Sequence, residues 1–353
     1  MLAVFALGLP ARALIINAIY DTSVTSAPEA AQIESAFNWV VQTYENQFTN
    51  AITVNITVYW GASPNLGQVG LGASYTSGIG VDGYAQVLNA LKAARSDSYD
   101  SNAVSSLPAT DPTGNGQWFV PTAEAKALNL YSANDPGIDG EVGFGTNGVS
   151  YTFDPTNRIV PGEFDFISVA EHELTEAMGR TNFGLDSSGN YIPFDLFHFT
   201  SSGVRTFADE VANAYFSIDN GVTELEFFND QSNGGDAQDW ATGAVPDSFD
   251  AFTSTDEEGY LSTNDFIAMD ILGFNSPGIK SAHVTGTLLA NGNLQLTFTN
   301  LAATSFSVLA TTNLTKPLSD WTVLGTAVEY PVGKYSFVDT QPTAQRFYRI
   351  RSP

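Results

Sequence analysis

Apolar and polar positions alternate cleanly over residues 52–60, where Ile52, Val54, Ile56, Val58 and Trp60 share one face. That period of two predicts a half-buried strand. Upstream, between Pro28 and Phe48, Ile33, Phe37, Val40, Tyr44 and Phe48 recur at helical spacing and form one stripe. Leu14–Tyr20, ahead of both, is a short apolar run that reads as a first strand. Strand, helix and strand in this order predict a βαβ unit. A Gly/Ser-rich stretch follows to Gly83. Tyr84, Val87, Leu88 and Leu91 then predict a helix over 84–95, and Pro121-Thr122 opens another that runs through Leu128. Gly140–Phe144 and Val149–Phe153 read as short strands. An edge strand here would offer its backbone to an extended peptide, although a plain hairpin fits the same residues.

The next periodic segment carries the candidate chemistry. In Glu163–Arg180, the residues Ile167, Ala170, Leu174 and Met178 mark one buried helical face, and Gly179 can end the helix in a left-handed turn. His172 and Glu176 lie four residues apart, on neighbouring faces, about 6 Å from one another. One metal ion can bridge that separation. Glu173 stands beside them, where a general base would polarise a water. The familiar zinc-peptidase motif is H-E-x-x-H; here Glu176 replaces the second histidine. A carboxylate is a legitimate zinc ligand, so the change does not abolish a site. The competing reading is an acidic surface helix. Against it, the chain has only three histidines, and one falls in this motif.

Composition narrows the remaining choices. There is no cysteine, which excludes disulfides and thiolate metal sites. The net charge is −25. Residues 276–353 hold six Lys/Arg and three Asp/Glu and are therefore +3, which leaves −28 on the rest. A unit that acidic repels nucleic acid and anionic lipid. Residues 1–13 resemble a signal-peptide core ending in Ala11-x-Ala13, without its basic start, and predict export to the exterior or the cell surface. No other apolar run approaches the roughly 20 residues of a membrane-spanning helix. A change of pattern at Asn275-Ser-Pro-Gly278 divides residues 14–275 from 276–353. In the latter, Leu294–Phe298, Phe306–Ala310, Trp321–Leu324, Tyr335–Val338 and Phe347–Ile350 read as strands of an all-β, immunoglobulin-like sandwich.

Several blocks together resemble exported bacterial metallopeptidases of the zincin type: Val169–Arg180, Phe194–Phe199, Tyr215–Gly221, Phe228–Trp240 and Ala268–Gly273. The tail resembles a β-module appended to secreted proteins. The resemblance implies an α+β zincin fold, of metzincin or gluzincin type, with a twisted mixed sheet above the metal helix. It also implies one Zn2+ per chain, hydrolysis of protein or peptide substrates, and Glu173 as the base. The metzincin pattern has histidines where this chain has Glu176 and Asn182, so the third ligand must come from elsewhere. A ligand from a following segment, as in gluzincins, leaves His198 or Asp195; His198 is the better zinc donor, and Asp195 could instead orient His172. Tyr191 or Tyr215 would stabilise an oxyanion. Met269 sits where a metzincin places its methionine turn, though a core methionine fits its pattern as well. Gly235–Asp239 and Asp256–Asp265 are oxygen-rich segments that could bind Ca2+ or simply face solvent. Two non-catalytic readings stand beside the enzyme: an adhesion or matrix-binding protein on the same scaffold, and a carbohydrate-binding protein.

Overall fold

The computed structural model describes residues 14–114, 116–181, 189–243, 246–276, 284–299, 306–313, 321–329, 334–343 and 346–351. The signal-peptide expectation, Asn182 and Pro277-Gly278 lie outside these. β1 (Ile15–Tyr20) leads through α1 (Thr22–Thr25) and α2 (Ala30–Gln47) into β2 (Thr53–Trp60). β1 and β2 pair in parallel with Ile15 opposite Thr53, as expected of a βαβ unit. α2 buries Ile33, Phe37, Val40 and Tyr44, the stripe that its period set out. β2 is more deeply buried than a half-exposed strand. Its polar Asn55 is also enclosed, because its side chain bonds Asn17 and the carbonyls of Asp135 and Gly137.

β3 (Gly72–Thr76) and β4 (Gly78–Gly80) form within the Gly/Ser-rich stretch. α3 (Tyr84–Ala94), α4 (Ser98–Ser106), β5 (Gln117–Pro121), α5 (Thr122–Ala127) and β6 (Gly140–Phe144) follow. The main sheet runs β1-β2-β6-β3, and its last strand is antiparallel to its neighbour. The strand at 140–144 is therefore interior, buried at all five positions, and the edge beside the motif helix is Gly72–Thr76.

The short parallel pair β7 (Tyr151–Thr152) and β8 (Phe164–Asp165) delivers the chain into α6 (Phe166–Met178). Asp165 caps α6 by accepting from the Ile167 N–H, and its other oxygen is clamped by Arg158 at 2.6 Å. Gly179, at φ +140°, ends the helix and donates to the Thr175 and Glu176 carbonyls. One buried face was expected for α6. Instead every residue except His172 is buried, because α6 packs against both the sheet and the neighbouring α2. A glycine makes this approach feasible: a Cβ on Gly140 would come within 2.9 Å of the Ala177 Cβ.

Beyond α6 the chain is loop-rich, as expected. β9 (Asn190–Tyr191) joins β4 and β5, while β10 (His198–Ser201), β11 (Val204–Arg205), β12 (Tyr215–Phe216) and β13 (Glu226–Phe227) form a small antiparallel sheet. α7 (Thr263–Ile271) opens on a Ser262–Asp265 capping box and closes the main core, with Met269 fully enclosed. The C-terminal strands are β14 (Thr285–Leu288), β15 (Leu294–Thr299), β16 (Ser307–Thr311), β17 (Thr322–Thr326), β18 (Val328–Glu329), β19 (Lys334–Asp339) and β20 (Phe347–Arg351). They make sheets β14-β15-β19-β18 and β17-β16-β20. Leu296, Phe298 and Tyr335 from the first sheet and Val308 from the second meet in one apolar cluster, separate from the main core. The molecule is thus mixed α+β followed by an all-β region. No helix among the described residues is long and apolar enough to cross a membrane.

Candidate functional site

His172 is the one residue of α6 that reaches open space, and it does so on the wall of a groove of about 460 Å³. Edge-strand residues Gly72, Ala73 and Ser74 form one side of this groove; Gln238, Asp239 and Ser248 contribute to the rest. The imidazole is oriented from behind. Its Nδ1 lies 2.9 Å from the Ser248 carbonyl, an acceptor, so Nδ1 carries a proton and Nε2 is the nitrogen turned toward the groove. That Nε2 is 3.3 Å from Glu176 Oε1 and 3.3 Å from Asp239 Oδ1. Donors bonded at about 2.0–2.1 Å to a tetrahedral centre stand roughly 3.3 Å apart, so each of these two distances suits a pair of ligands on one ion. Glu176 is held by Gln238 at 2.7 Å on one oxygen and by Ser74 at 2.9 Å on the other. Asp239 is held by Arg180 at 2.8 Å. A carboxylate oxygen has a second lone pair, so this bond leaves Asp239 able to coordinate.

Glu173 lies against the groove, with Oε2 buried and without a hydrogen-bond partner. Gly72 is required there, since a Cβ at that position would collide with the Glu173 carboxylate. Burial, and then the neighbouring Glu176 charge, push the Glu173 carboxyl well above its ordinary range. A carboxyl raised in this way matches a general base better than an ordinary one does. For His172, burial works downward, but Asp239 and Glu176 outweigh it and lift the imidazole well above 6.5. Burial opposes ionisation of Glu176 too, yet His172, Arg180 and Gln238 hold it below the usual carboxylate range. Arg180 is fully buried, bonds Thr175 Oγ1 at 3.1 Å and lies 4.2 Å above the Phe249 ring. It offsets part of the negative charge that the Glu176 and Asp239 carboxylates bring. Donor types, spacing and a buried unpartnered carboxylate oxygen all fit a divalent metal.

The structure brings together His172, Glu173 and Glu176 but not the two residues expected to complete them. His198 is stacked on Phe228, with ring centroids 3.5 Å apart, and packs edge-on against Phe194. Burial drives its pKa down to about 3. Asp195 is turned back on its own chain, where Oδ2 accepts from the Ile192 N–H at 2.9 Å. Neither lines the groove nor joins a ligand cluster among the described residues. Sequence proximity to α6 favoured them; the aromatic core of Phe194, Phe216, Phe228 and Trp240 claims their segment instead. Tyr215 donates to the Gly221 carbonyl at 2.7 Å and Tyr191 packs against Trp118, so neither faces the groove. Met269 is a core side chain of α7.

The oxygen-rich segments also change role. Asp236 and Asp239 gather beside Glu176 at the motif helix. In the other segment, Asp265 accepts from Trp240 Nε1 and caps α7, and Asp256 accepts from the Gly162 N–H. Sequence reasoning missed Asp239, Gln238, Ser248, Ser74 and Arg180 as parts of the site. A signal existed for two of them: Asp239 precedes Trp240 in a polar loop, and Arg180 is a lone cation just past an acidic helix. Compared with known proteins, the chain matches no family model and no curated protein.

Proposed function

We propose that this protein is a metal-dependent endopeptidase whose single metal, read as zinc from its imidazole and carboxylate donors, is held by His172, Glu176 and Asp239. The observation that carries the reading is the placement of His172 Nε2, 3.3 Å from both carboxylates, while the ring's Nδ1–H is donated to the Ser248 carbonyl. A divalent ion there would acidify a water and polarise a carbonyl. Glu173, raised in pKa and facing the same groove, takes the proton of the attacking water and returns it to the departing amine. The edge strand β3 lies along the groove with no strand on its outer side among the described residues, which suits an extended peptide added antiparallel to it. An antiparallel edge above a buried motif helix supports the zincin-like architecture. The two-sheet region after residue 276 supports an immunoglobulin-like module that targets or spaces the enzyme. Export, and residence outside the cell or at its surface, complete the proposal.

One observation favours the non-catalytic alternative: Arg180 already neutralises Asp239 and lies 3.6 Å from Glu176. Digestion of a peptide library by purified full-length protein, with elemental analysis of the same sample, separates the two. The enzyme reading predicts about one zinc per chain and cleavage that stops when the metal is removed. Metal-free protein with no cleavage after zinc addition sinks it.

A further inference from the structure

A second group of carboxylates lies away from the groove, between the start of α4 and the end of α7. Oxygens of Asp97, Asp100 and Asp270 all approach within 4.8 Å of one another. Each carboxylate spends one oxygen on protein donors. Asp97 Oδ1 accepts from the Tyr99 and Asp100 N–H groups, Asp100 Oδ2 from the Ser96 N–H and hydroxyl, and Asp270 Oδ1 from the Ser276 N–H. That leaves Asp97 Oδ2, Asp100 Oδ1 and Asp270 Oδ2 over. Asp270 is 2% exposed, and its Oδ2 is enclosed without a hydrogen-bond partner. A cavity of about 10 Å³ lies against Asp97, Asp270 and Tyr99, about the room one small ion or water needs. None of the three carboxylates forms an ion pair with a lysine or arginine among the described residues.

Helix capping accounts for Asp97 and Asp100, since a carboxylate at a helix start satisfies free N–H groups. It does not account for Asp270, which comes from a different helix and adds a third negative charge at close range. Buried like charges need a counter-charge or a proton. We propose that Asp97, Asp100 and Asp270 form a calcium site that ties α4 to α7. Three carboxylate oxygens with no nitrogen or sulfur donor select a hard cation. Calcium tolerates an irregular shell completed by water, whereas magnesium demands near-octahedral geometry. The site is independent of the His172 centre and does not rest on the enzyme reading. The competing occupant is a proton shared between Asp270 and Asp97: burial, then the Asp100 charge, push the Asp270 carboxyl up to about 8.

Full-length protein, freed of loosely held ions on a chelating resin and held at pH 7.5, is titrated calorimetrically with CaCl2. The wild type is expected to bind one calcium at this site with sub-millimolar affinity, and D270N and D97N to weaken that binding at least tenfold. D97N keeps the helix cap, because asparagine caps as well as aspartate, so it reports on charge even if D270N folds poorly. Terbium substituted for calcium should show emission sensitised by Tyr99 that calcium displaces and that Y99F loses. The proposal is overturned if the wild type binds no calcium below about 1 mM, a bound typical of weak extracellular sites. It is equally overturned if D270N and D97N bind calcium as the wild type does.

Discussion

Two histidines, His172 on the groove wall and His198 in the core, sit in opposite environments. His172 has a carbonyl behind it and two carboxylates in front, and its pKa is lifted. His198 is sandwiched in the aromatic core, its Nε2 has no partner, and its pKa falls to about 3. The residue type is the same. What differs is whether the neighbours supply an acceptor for one nitrogen and negative charge for the other. Ligand capacity is thus a property of the surroundings, and a histidine close in sequence to a metal motif need not share its site.

The largest expected effect comes from the proposed base beside His172. Glu173→Gln should lower peptide hydrolysis by roughly 10²–10⁴-fold, the usual contribution of a general base, with zinc content unchanged. Loss of zinc in this variant would recast Glu173 as a ligand. Gly72→Ala presses a methyl group into the Glu173 carboxylate. It should cost about 1–3 kcal/mol of stability, as overpacking does, and reduce kcat more than zinc affinity. A fully active, equally stable variant would show that β3 does not confine Glu173.

The other histidine gives a pH prediction. His198 is neutral when folded, and its pKa is lowered from 6.5 to about 3. The unfolded chain therefore binds a proton that the folded chain does not as pH falls below about 6.5. Stability is present above that pH and is lost by about 1.4 kcal/mol per unit on the way down to about 3. His198→Phe should remove this part of the acid sensitivity, measured by urea unfolding at pH 7 and pH 5. Identical pH slopes in the two proteins would contradict the burial argument. The smallest effect should come from removing residues 276–353, whose apolar cluster shares no residue with the main core. The remainder should stay folded and keep its zinc; an insoluble product would mean that the two parts depend on each other.

The sequence showed these regions unevenly, for physical reasons. α2, β2 and α6 were legible because their apolar periods run long enough to stand out, and α6 carries both its aspartate cap and its terminal glycine. The edge strand β3 was hidden because Gly-Ala-Ser-Tyr-Thr has no alternation; its glycine is there to make room for Glu173. α4 was hidden for a related reason: it is short and polar, and buries little beyond Asp100, Ala103 and Val104. Of the site, the motif trio was readable because helical spacing is local. Asp239 was not, since 63 positions separate it from Glu176 and many aspartates in that loop look alike until the chain is folded. The chain is 12% aromatic, and many of these rings pack in the core around Phe166, Phe194 and Trp240.

The central claim is that Asp239, not His198 or Asp195, completes the His172 centre. Zinc affinity of four proteins measured by competition with a chromogenic chelator tests it most directly: wild type, Asp239→Asn, His198→Phe and Asp195→Asn. Asparagine at 239 keeps an acceptor for Arg180, so the fold is spared while the anionic ligand is lost. The account predicts that Asp239→Asn weakens zinc binding by well over the roughly 10–100-fold typical of a residue that only orients a ligand, and that the other two bind as the wild type does. Wild-type affinity in Asp239→Asn, together with a steep loss in His198→Phe or Asp195→Asn, would contradict it.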